Sequence, residues 1–153
     1  IGITLKNLFP ALYFGLALGV IFAIEGALIN FIRHGGSNFS ANLGQNPFIF
    51  ALGLSFVTAI SEELTFRGYL FNRMWHVMGN EWSANLITSF FWALIHVPVA
   101  IFWWELNFSG TVTYLFLTVI FGIGSAFVFA KTKNIASSIL LHVLWSWPIV
   151  LFR

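Results

Sequence analysis

The stretch PFIFALGLSFVTAISEELTFRGYLFNRMWHVM, residues 47–78, is an apolar run with two glutamates and an arginine near its middle. About 20 apolar residues suffice for a helix to cross the hydrocarbon core of a bilayer, so this run is long enough to span a membrane. An unpaired charge inside a membrane costs at least about 2.5–3.5 kcal/mol. The side chains of Glu62, Glu63 and Arg67 therefore predict either a functional site or an ion pair between helices.

The composition of the whole chain agrees with a membrane protein. Of its 153 residues, 59% are hydrophobic and only 8% are charged, whereas a soluble domain is typically about 25% charged. The net charge of +2 is too small to indicate a nucleic-acid partner. The chain has no cysteine, which excludes disulfides and thiol catalysis.

Apolar segments occur five times, separated by turns rich in glycine, asparagine or lysine. They cover about 8–32, 47–78, 83–104, 111–130 and 134–151. We therefore expect an all-α, multi-pass bundle of about five membrane helices, with the last segment slightly short. We treat 1–153 as a single domain, and the start at Ile1 favours a trimmed or partial chain.

The basic residues predict the orientation of the bundle. With five crossings, Lys6, Arg73, Lys131 and Lys133 fall on one side, and Arg33 and Arg153 on the other. The positive-inside rule makes the first side cytoplasmic. We expect a multi-pass protein of the cell membrane with a cytoplasmic N-terminus.

Three ionisable residues from three different segments fall at similar depth. At about 1.5 Å per residue, His142 lies about 12 Å deep, Glu62 about 15 Å and His96 about 20 Å. This common depth is what a shared site between helices requires. The alternative for each histidine is an ordinary buried residue with a satisfied hydrogen bond.

The two adjacent glutamates should have different roles. Glu63 and Arg67 are spaced i, i+4, which suits an ion pair on one helix face. Consecutive helical residues point about 100° apart, so Glu62 should face elsewhere, toward a cavity. We expect Glu62 to carry chemistry and Glu63 to be held by Arg67, either as a plain structural pair or in support of a site.

A carboxylate and two imidazoles can act with or without a metal. Glu62, His96 and His142 are a possible set of zinc ligands that leaves a position open for water. Without a metal, a carboxylate and an imidazole can take a proton from water and direct it at a carbonyl. The same residues could instead form the proton relay of a carrier.

Three short motifs resemble a known family, the CPBP intramembrane proteases, also called the CAAX protease and bacteriocin-processing family. The stretch EELTFRG resembles its E-E-x-x-x-R motif at Glu62, Glu63 and Arg67. WALIH resembles F-x-x-x-H, with Trp92 in place of phenylalanine before His96. HVLWS resembles H-x-x-x-N, with Ser146 in place of asparagine after His142. The resemblance covers about residues 55–147.

The resemblance implies an intramembrane endopeptidase, dependent on a glutamate or on a metal such as Zn²⁺. By resemblance, Glu62 and His96 would activate water, and Glu63 and Arg67 would support the site. His142 and position 146 would stabilise the oxyanion or bind metal. The implied partners are membrane lipid and a peptide or lipidated protein substrate. The alternatives are a catalytically silent scaffold, a bacteriocin-immunity protein, or an ion or proton carrier.

Overall fold

The fold is an all-α bundle, seen here in a computed structural model that describes residues 1–36 and 48–151. Its α-helices are α1 (Leu8–His34), α2 (Phe48–Glu63), α3 (Asn72–Met78), α4 (Glu81–Leu94), α5 (Phe108–Thr132) and α6 (Ala136–Leu151). Two π-helical segments are interposed, at Leu64–Phe71 and Val99–Trp103. The prediction of a helical membrane bundle is confirmed.

The predicted segments correspond to the observed helical rods. Within the described residues, four rods are long and apolar enough to cross a membrane: Leu8–His34, Ile49–Met78, Glu81–Trp103 and Phe108–Thr132. Helix α6 is shorter, as its sequence predicts; at about 1.5 Å per residue its apolar part is about 21 Å long. The predicted loop before segment two lies largely outside the described residues.

The second rod is not a uniform α-helix, contrary to expectation. A π-helical stretch, Leu64–Phe71, begins directly after Glu63 and contains Arg67. Over two turns of a largely apolar segment, the pattern of residues does not distinguish α from π geometry, so this stretch could not be predicted. Short π stretches inside α-helices are frequent at functional sites.

The third rod breaks beside His96, as Pro98 predicts. Helix α4 ends at Leu94, and Ile95 and His96 form a turn before the helix resumes. Proline has no N–H to donate to the carbonyl four residues earlier. The break therefore places His96 at an irregular point of the backbone.

Helices α1 and α6 pack closely along small residues of α1. A Cβ at Gly15 would lie 2.6 Å from the carbonyl oxygen of Ser137, and one at Gly26 would collide with the carbonyl oxygen of Trp145. Small residues let membrane helices approach at backbone distance. This packing fixes α6, the helix that carries His142.

The bundle has an apolar outer surface and several polar residues in its interior. Large apolar side chains such as Phe9, Ile49 and Phe116 are exposed on its outer faces. Buried polar and charged residues, among them Glu63 and Arg67, lie between the helices. This distribution suits a bundle that is surrounded by lipid and keeps its ionisable groups away from it.

The cationic residues predicted to share a side do lie at one end of the bundle. The side chain of Asn134 donates to the backbone carbonyl of Lys6 at 2.9 Å, which brings the N-terminal segment against the α5–α6 turn and Lys133. Lys133 also lies over the ring of Trp75 in α3. The assignment of this end to the cytoplasm stays a prediction.

Candidate active site

The centre of the site is the carboxylate of Glu63, which is completely buried. Its Oε1 accepts from Arg67 Nη1 at 3.2 Å and from His142 Nδ1 at 2.7 Å. Its Oε2 accepts from Ser125 Oγ at 2.6 Å. Three donors, from the second rod, α5 and α6, therefore satisfy one buried charge, and the predicted Glu63–Arg67 pair is confirmed.

The guanidinium of Arg67 is also nearly completely buried, at 2% exposed. Its Nη2 donates to the carbonyl oxygen of Gly122 at 3.3 Å, and its Cζ lies 4.6 Å from the ring centroid of Trp92. Arg67 is close enough to both Glu62 and Glu63 to interact with each electrostatically. One cation thus offsets two adjacent carboxylates inside the bundle.

Glu62 has a different hydrogen-bond partner from Glu63, as expected because consecutive helical residues point about 100° apart. Its Oε2 accepts from the indole Nε1 of Trp92 at 2.9 Å. Among the described residues, no hydrogen bond reaches its Oε1. Glu62 is half-buried whereas Glu63 is buried. Its carboxylate is therefore oriented by one donor and keeps an oxygen for another molecule.

His96 is held by the same tryptophan. Its Nδ1 lies 2.8 Å from the backbone carbonyl oxygen of Trp92, and the two rings are 4.6 Å apart at their centroids. A carbonyl oxygen only accepts, so Nδ1 carries the proton and a neutral His96 has its lone pair on Nε2. The imidazole is close enough to Glu62 and His142 to interact with both electrostatically. Trp92 therefore links Glu62 to His96.

His142 is bonded directly to Glu63, a contact that the sequence did not predict. Its Nδ1 donates to the carboxylate, as in other carboxylate–imidazole pairs, which leaves Nε2 for another partner. His142 and Ser146 line a cavity of about 110 Å³ together with Leu54, Ser55 and Thr58 of α2. The walls are mainly apolar, but polar groups of Ser55, Thr58, His142 and Ser146 are among them, and a cavity of this size has room for a few water molecules.

The predicted convergence of Glu62, His96 and His142 on a single cavity stays a prediction. The structure brings the three residues into one electrostatic neighbourhood around Trp92. Of the three, His142 lines the cavity between α2 and α6. Ser146 donates to the carbonyl oxygen of Val143 at 3.0 Å, so its hydroxyl proton is engaged within its own helix.

Glu62, His96 and His142 have the donor types of a zinc site but not its arrangement. Both histidines donate Nδ1–H to an oxygen acceptor, a bond that metal-ligating histidines usually make. Within residues 1–36 and 48–151, however, no three His, Asp or Glu side chains are grouped so that they could hold a metal ion. We therefore assign no step to a metal.

Sequence reasoning missed Ser125, which gives Glu63 its shortest hydrogen bond. It missed the carbonyl of Gly122 as the acceptor for Arg67. The fourth apolar segment has no acidic, basic or histidine residue, so its sequence did not indicate a site. The available signal was its small residues, Gly122, Ser125 and Ala126, because such residues mark close helix contacts in membranes.

Comparison with family models matches residues 44–148 to the type II CAAX prenyl endopeptidase Rce1-like family. The match covers more than half of the chain and includes the two glutamates, Arg67 and both histidines. The chain belongs to the Rce1-like family. Comparison with curated proteins and with solved structures gave no match.

Membership in the Rce1-like family confirms the resemblance that the three motifs carry. The chain is accordingly a multi-pass membrane protein of a protease family. The buried polar cluster lies within the matched region, and α1 lies before it. Helix α1 therefore contributes packing against α6 rather than any residue of the motifs.

Proposed function

We propose that this chain is an intramembrane endopeptidase that hydrolyses a peptide bond of a membrane-associated substrate. The observation that supports this most strongly is that Trp92 forms hydrogen bonds with both Glu62 and His96. Its indole N–H holds Glu62 at 2.9 Å, and its backbone carbonyl holds His96 at 2.8 Å. The remaining lone pairs, on Glu62 Oε1 and His96 Nε2, belong to two acceptors that can share one water molecule.

In the proposed reaction, Glu62 is the general base. Oε1 takes a proton from water while the water oxygen bonds to the substrate carbonyl carbon, and His96 Nε2 accepts a hydrogen bond from the other water hydrogen. The tetrahedral intermediate then expels the amine as the C–N bond breaks. The amine nitrogen receives the proton from Glu62, which returns to the carboxylate form.

Glu63, Arg67 and His142 would support this reaction electrostatically. The buried carboxylate of Glu63 can stabilise a protonated His142, whose Nε2–H would then donate to the oxyanion of the intermediate. Ser146 could add a second donor from the same cavity wall if its hydroxyl rotates away from Val143. Such donors assist most where water is excluded.

The substrate class is part of the proposal. The family description names prenyl endopeptidases, so a prenylated peptide that partitions into the bilayer is the first substrate to try. Peptide pheromones, bacteriocin leaders and the tails of membrane proteins are the other classes to compare. All share a scissile bond that is brought to the bundle by the membrane.

The test is cleavage in a reconstituted membrane. Purified protein in phosphatidylcholine nanodiscs is incubated with a prenylated peptide and with the same peptide lacking the prenyl chain, and products are identified by mass spectrometry. We expect cleavage of the prenylated peptide by the parent and none by Glu62→Gln. Equal cleavage by a folded Glu62→Gln protein would contradict the role of Glu62.

A catalytically silent scaffold is the second candidate, and the hydrogen bond of Ser146 within its own helix favours it. If a folded parent cleaves no membrane peptide while Ser146→Asn gains activity, the protein is a catalytically silent scaffold.

Metal dependence is tested by elemental analysis of the purified protein together with chelation. We expect activity to survive chelation, because water activation is assigned to Glu62 and His96 alone.

A further inference from the structure

A recessed surface at the cationic end of the bundle is separate from the proposed active site. One recess, of about 430 Å³, is lined by Asn72, Trp75, His76, Gly79 and Lys133. A second recess, of about 520 Å³, is lined by Ile1, Gly68, Tyr69, Asn72, Arg73 and His76. Asn72 and His76 thus line both recesses. The two recesses adjoin along α3 at these residues, and we term them together the α3 trough.

Apart from the phenol of Tyr69, the ionisable side chains that line the α3 trough are basic. Arg73, His76 and Lys133 border it, and no carboxylate does so among the described residues. Glu81 is an acidic group that interacts electrostatically with Lys133, and it forms an ion pair with Lys131 at 3.6 Å. The positive charge of the trough is therefore only partly offset by the protein itself.

Aromatic rings position the two permanent cations. The Nζ of Lys133 lies 3.4 Å from the ring centroid of Trp75, and the Cζ of Arg73 lies 5.7 Å from that of Tyr69. A ring face attracts the cation without using up its N–H donors. Cations held in this way lose less freedom when they bind an anion, which favours binding.

Lys133 is constrained further by its backbone and surroundings. It directly follows the last residue of α5, with φ of 54° in the left-handed region, and its side chain lines the trough. Partial burial lowers the pKa of its amine. An anion in the trough would restore favourable surroundings for the charged amine.

The trough lies where lipid headgroups would be. It is at the end of the rods, beside Trp75 and Tyr69, and aromatic residues of this kind concentrate at membrane–water interfaces. Basic pockets between membrane helices are suited to anionic headgroups. We propose that the α3 trough binds a phosphate group, presented by the headgroup of an anionic phospholipid, through Arg73, His76 and Lys133.

The test measures lipid binding, so its outcome is independent of any peptidase activity. Detergent-solubilised protein is titrated with phosphatidylglycerol, with phosphatidylcholine and with inorganic phosphate, and bound ligand is counted by native mass spectrometry. The disruptive variant is Arg73→Gln combined with Lys133→Gln. The matched control is Lys6→Gln, which removes an exposed cation from the same end but outside the trough.

We expect the parent to bind phosphatidylglycerol in preference to phosphatidylcholine. Loss of each trough cation should weaken binding about fivefold, which corresponds to about 1 kcal/mol per basic residue near an anionic surface. The double variant should then bind about 25-fold more weakly, and Lys6→Gln should stay within about twofold of the parent. Arg73→Lys with Lys133→Arg keeps both charges and should keep binding.

The outcomes separate the sources of the phosphate group. Competition by inorganic phosphate would show that the phosphate alone suffices, and binding of phosphatidylglycerol without such competition would show that the acyl chains are needed. Either result supports the site. Equal binding of the two lipids by the parent, or equal weakening by Lys6→Gln and by the double variant, would overturn it. Unchanged thermal unfolding in phosphatidylcholine confirms that the exposed substitutions leave the fold intact.

Discussion

The indole Nε1 of Trp92 donates to Oε2 of Glu62 at 2.9 Å, across the space between α4 and the second rod. Phenylalanine, which the motif F-x-x-x-H has at this position, could not make this bond. The hydrogen bond joins two of the three motifs through side chains. It orients the carboxylate that we propose as the general base.

Replacing Trp92 with phenylalanine should weaken catalysis without unfolding the bundle. Phenylalanine keeps an aromatic ring between Arg67 and Phe121 but removes the donor to Glu62. A hydrogen bond to a charged group contributes about 1.5–3 kcal/mol, so kcat/KM should fall about 10- to 150-fold. The measurement is peptide cleavage in nanodiscs, with thermal unfolding recorded alongside.

Trp145→Phe is the matched control for this experiment. Trp145 is also buried and lies in the same aromatic cluster, but its Nε1 makes no hydrogen bond within the described structure. The same substitution there removes no bond and should leave kcat/KM within a few-fold of the parent. If both variants lose activity equally, ring volume rather than the indole donor is what matters at position 92.

Glu62→Gln should abolish most activity and leave stability nearly unchanged. Glutamine keeps the shape and can still accept from Trp92, but it cannot take a proton from water. A positioned general base contributes at least about 100-fold, so cleavage should fall by at least that factor. Glu62 is half-buried and bonded to a neutral donor, which is why its neutral replacement should not disturb folding.

Glu63→Gln should destabilise the protein. It leaves the buried Arg67 facing a neutral group, and breaking a buried pair typically costs about 3–5 kcal/mol. Its thermal unfolding should move to lower temperature far more than that of Glu62→Gln. If the two variants prove equally stable, the assignment of separate roles to the adjacent glutamates fails.

The sequence was informative where a local rule applied. The i, i+4 spacing predicted the Glu63–Arg67 bond, and Pro98 predicted the break at His96, because both effects act within one helix. The helix ends also followed from local composition, to within a few residues. Depth along a helix could be estimated by counting residues, since the rise per residue is nearly constant.

The contacts between helices could not be predicted from rules that act within one helix. The choice of Glu63 rather than Glu62 as the partner of His142 depends on how α6 is rotated and how far it stands from α2. Those quantities are set by packing, including the contact of Gly26 with the Trp145 backbone. The hydrogen bond from Ser125 to Glu63 could not be predicted, because a serine in an apolar helix can equally bond to the backbone of its own helix.

Ser125→Ala should destabilise the protein by removing a donor to a buried carboxylate. The Oγ of Ser125 lies 2.6 Å from Oε2 of Glu63, and hydrogen bonds to charged groups contribute about 1.5–3 kcal/mol. Ser138→Ala is the control, because Ser138 donates to a neutral carbonyl at 2.9 Å and should cost only about 0.5–1.5 kcal/mol. Equal losses in chemical unfolding would mean that Ser125 does not stabilise the charge of Glu63.

Arg67→Ala should impair folding about as strongly as Glu63→Gln does. It removes the cation that bonds Glu63 at 3.2 Å and Gly122 at 3.3 Å, and it leaves the buried carboxylate with Ser125 and His142 as its donors. The expected loss is about 3–5 kcal/mol of unfolding free energy, measured by thermal or chemical unfolding in a zwitterionic detergent. Arg73→Ala, six residues along and exposed, removes the same charge from the surface and should leave stability nearly unchanged in that detergent. Because only the buried guanidinium offsets two carboxylates, a protein with Arg67→Ala as stable as one with Arg73→Ala would contradict the electrostatic account of the site.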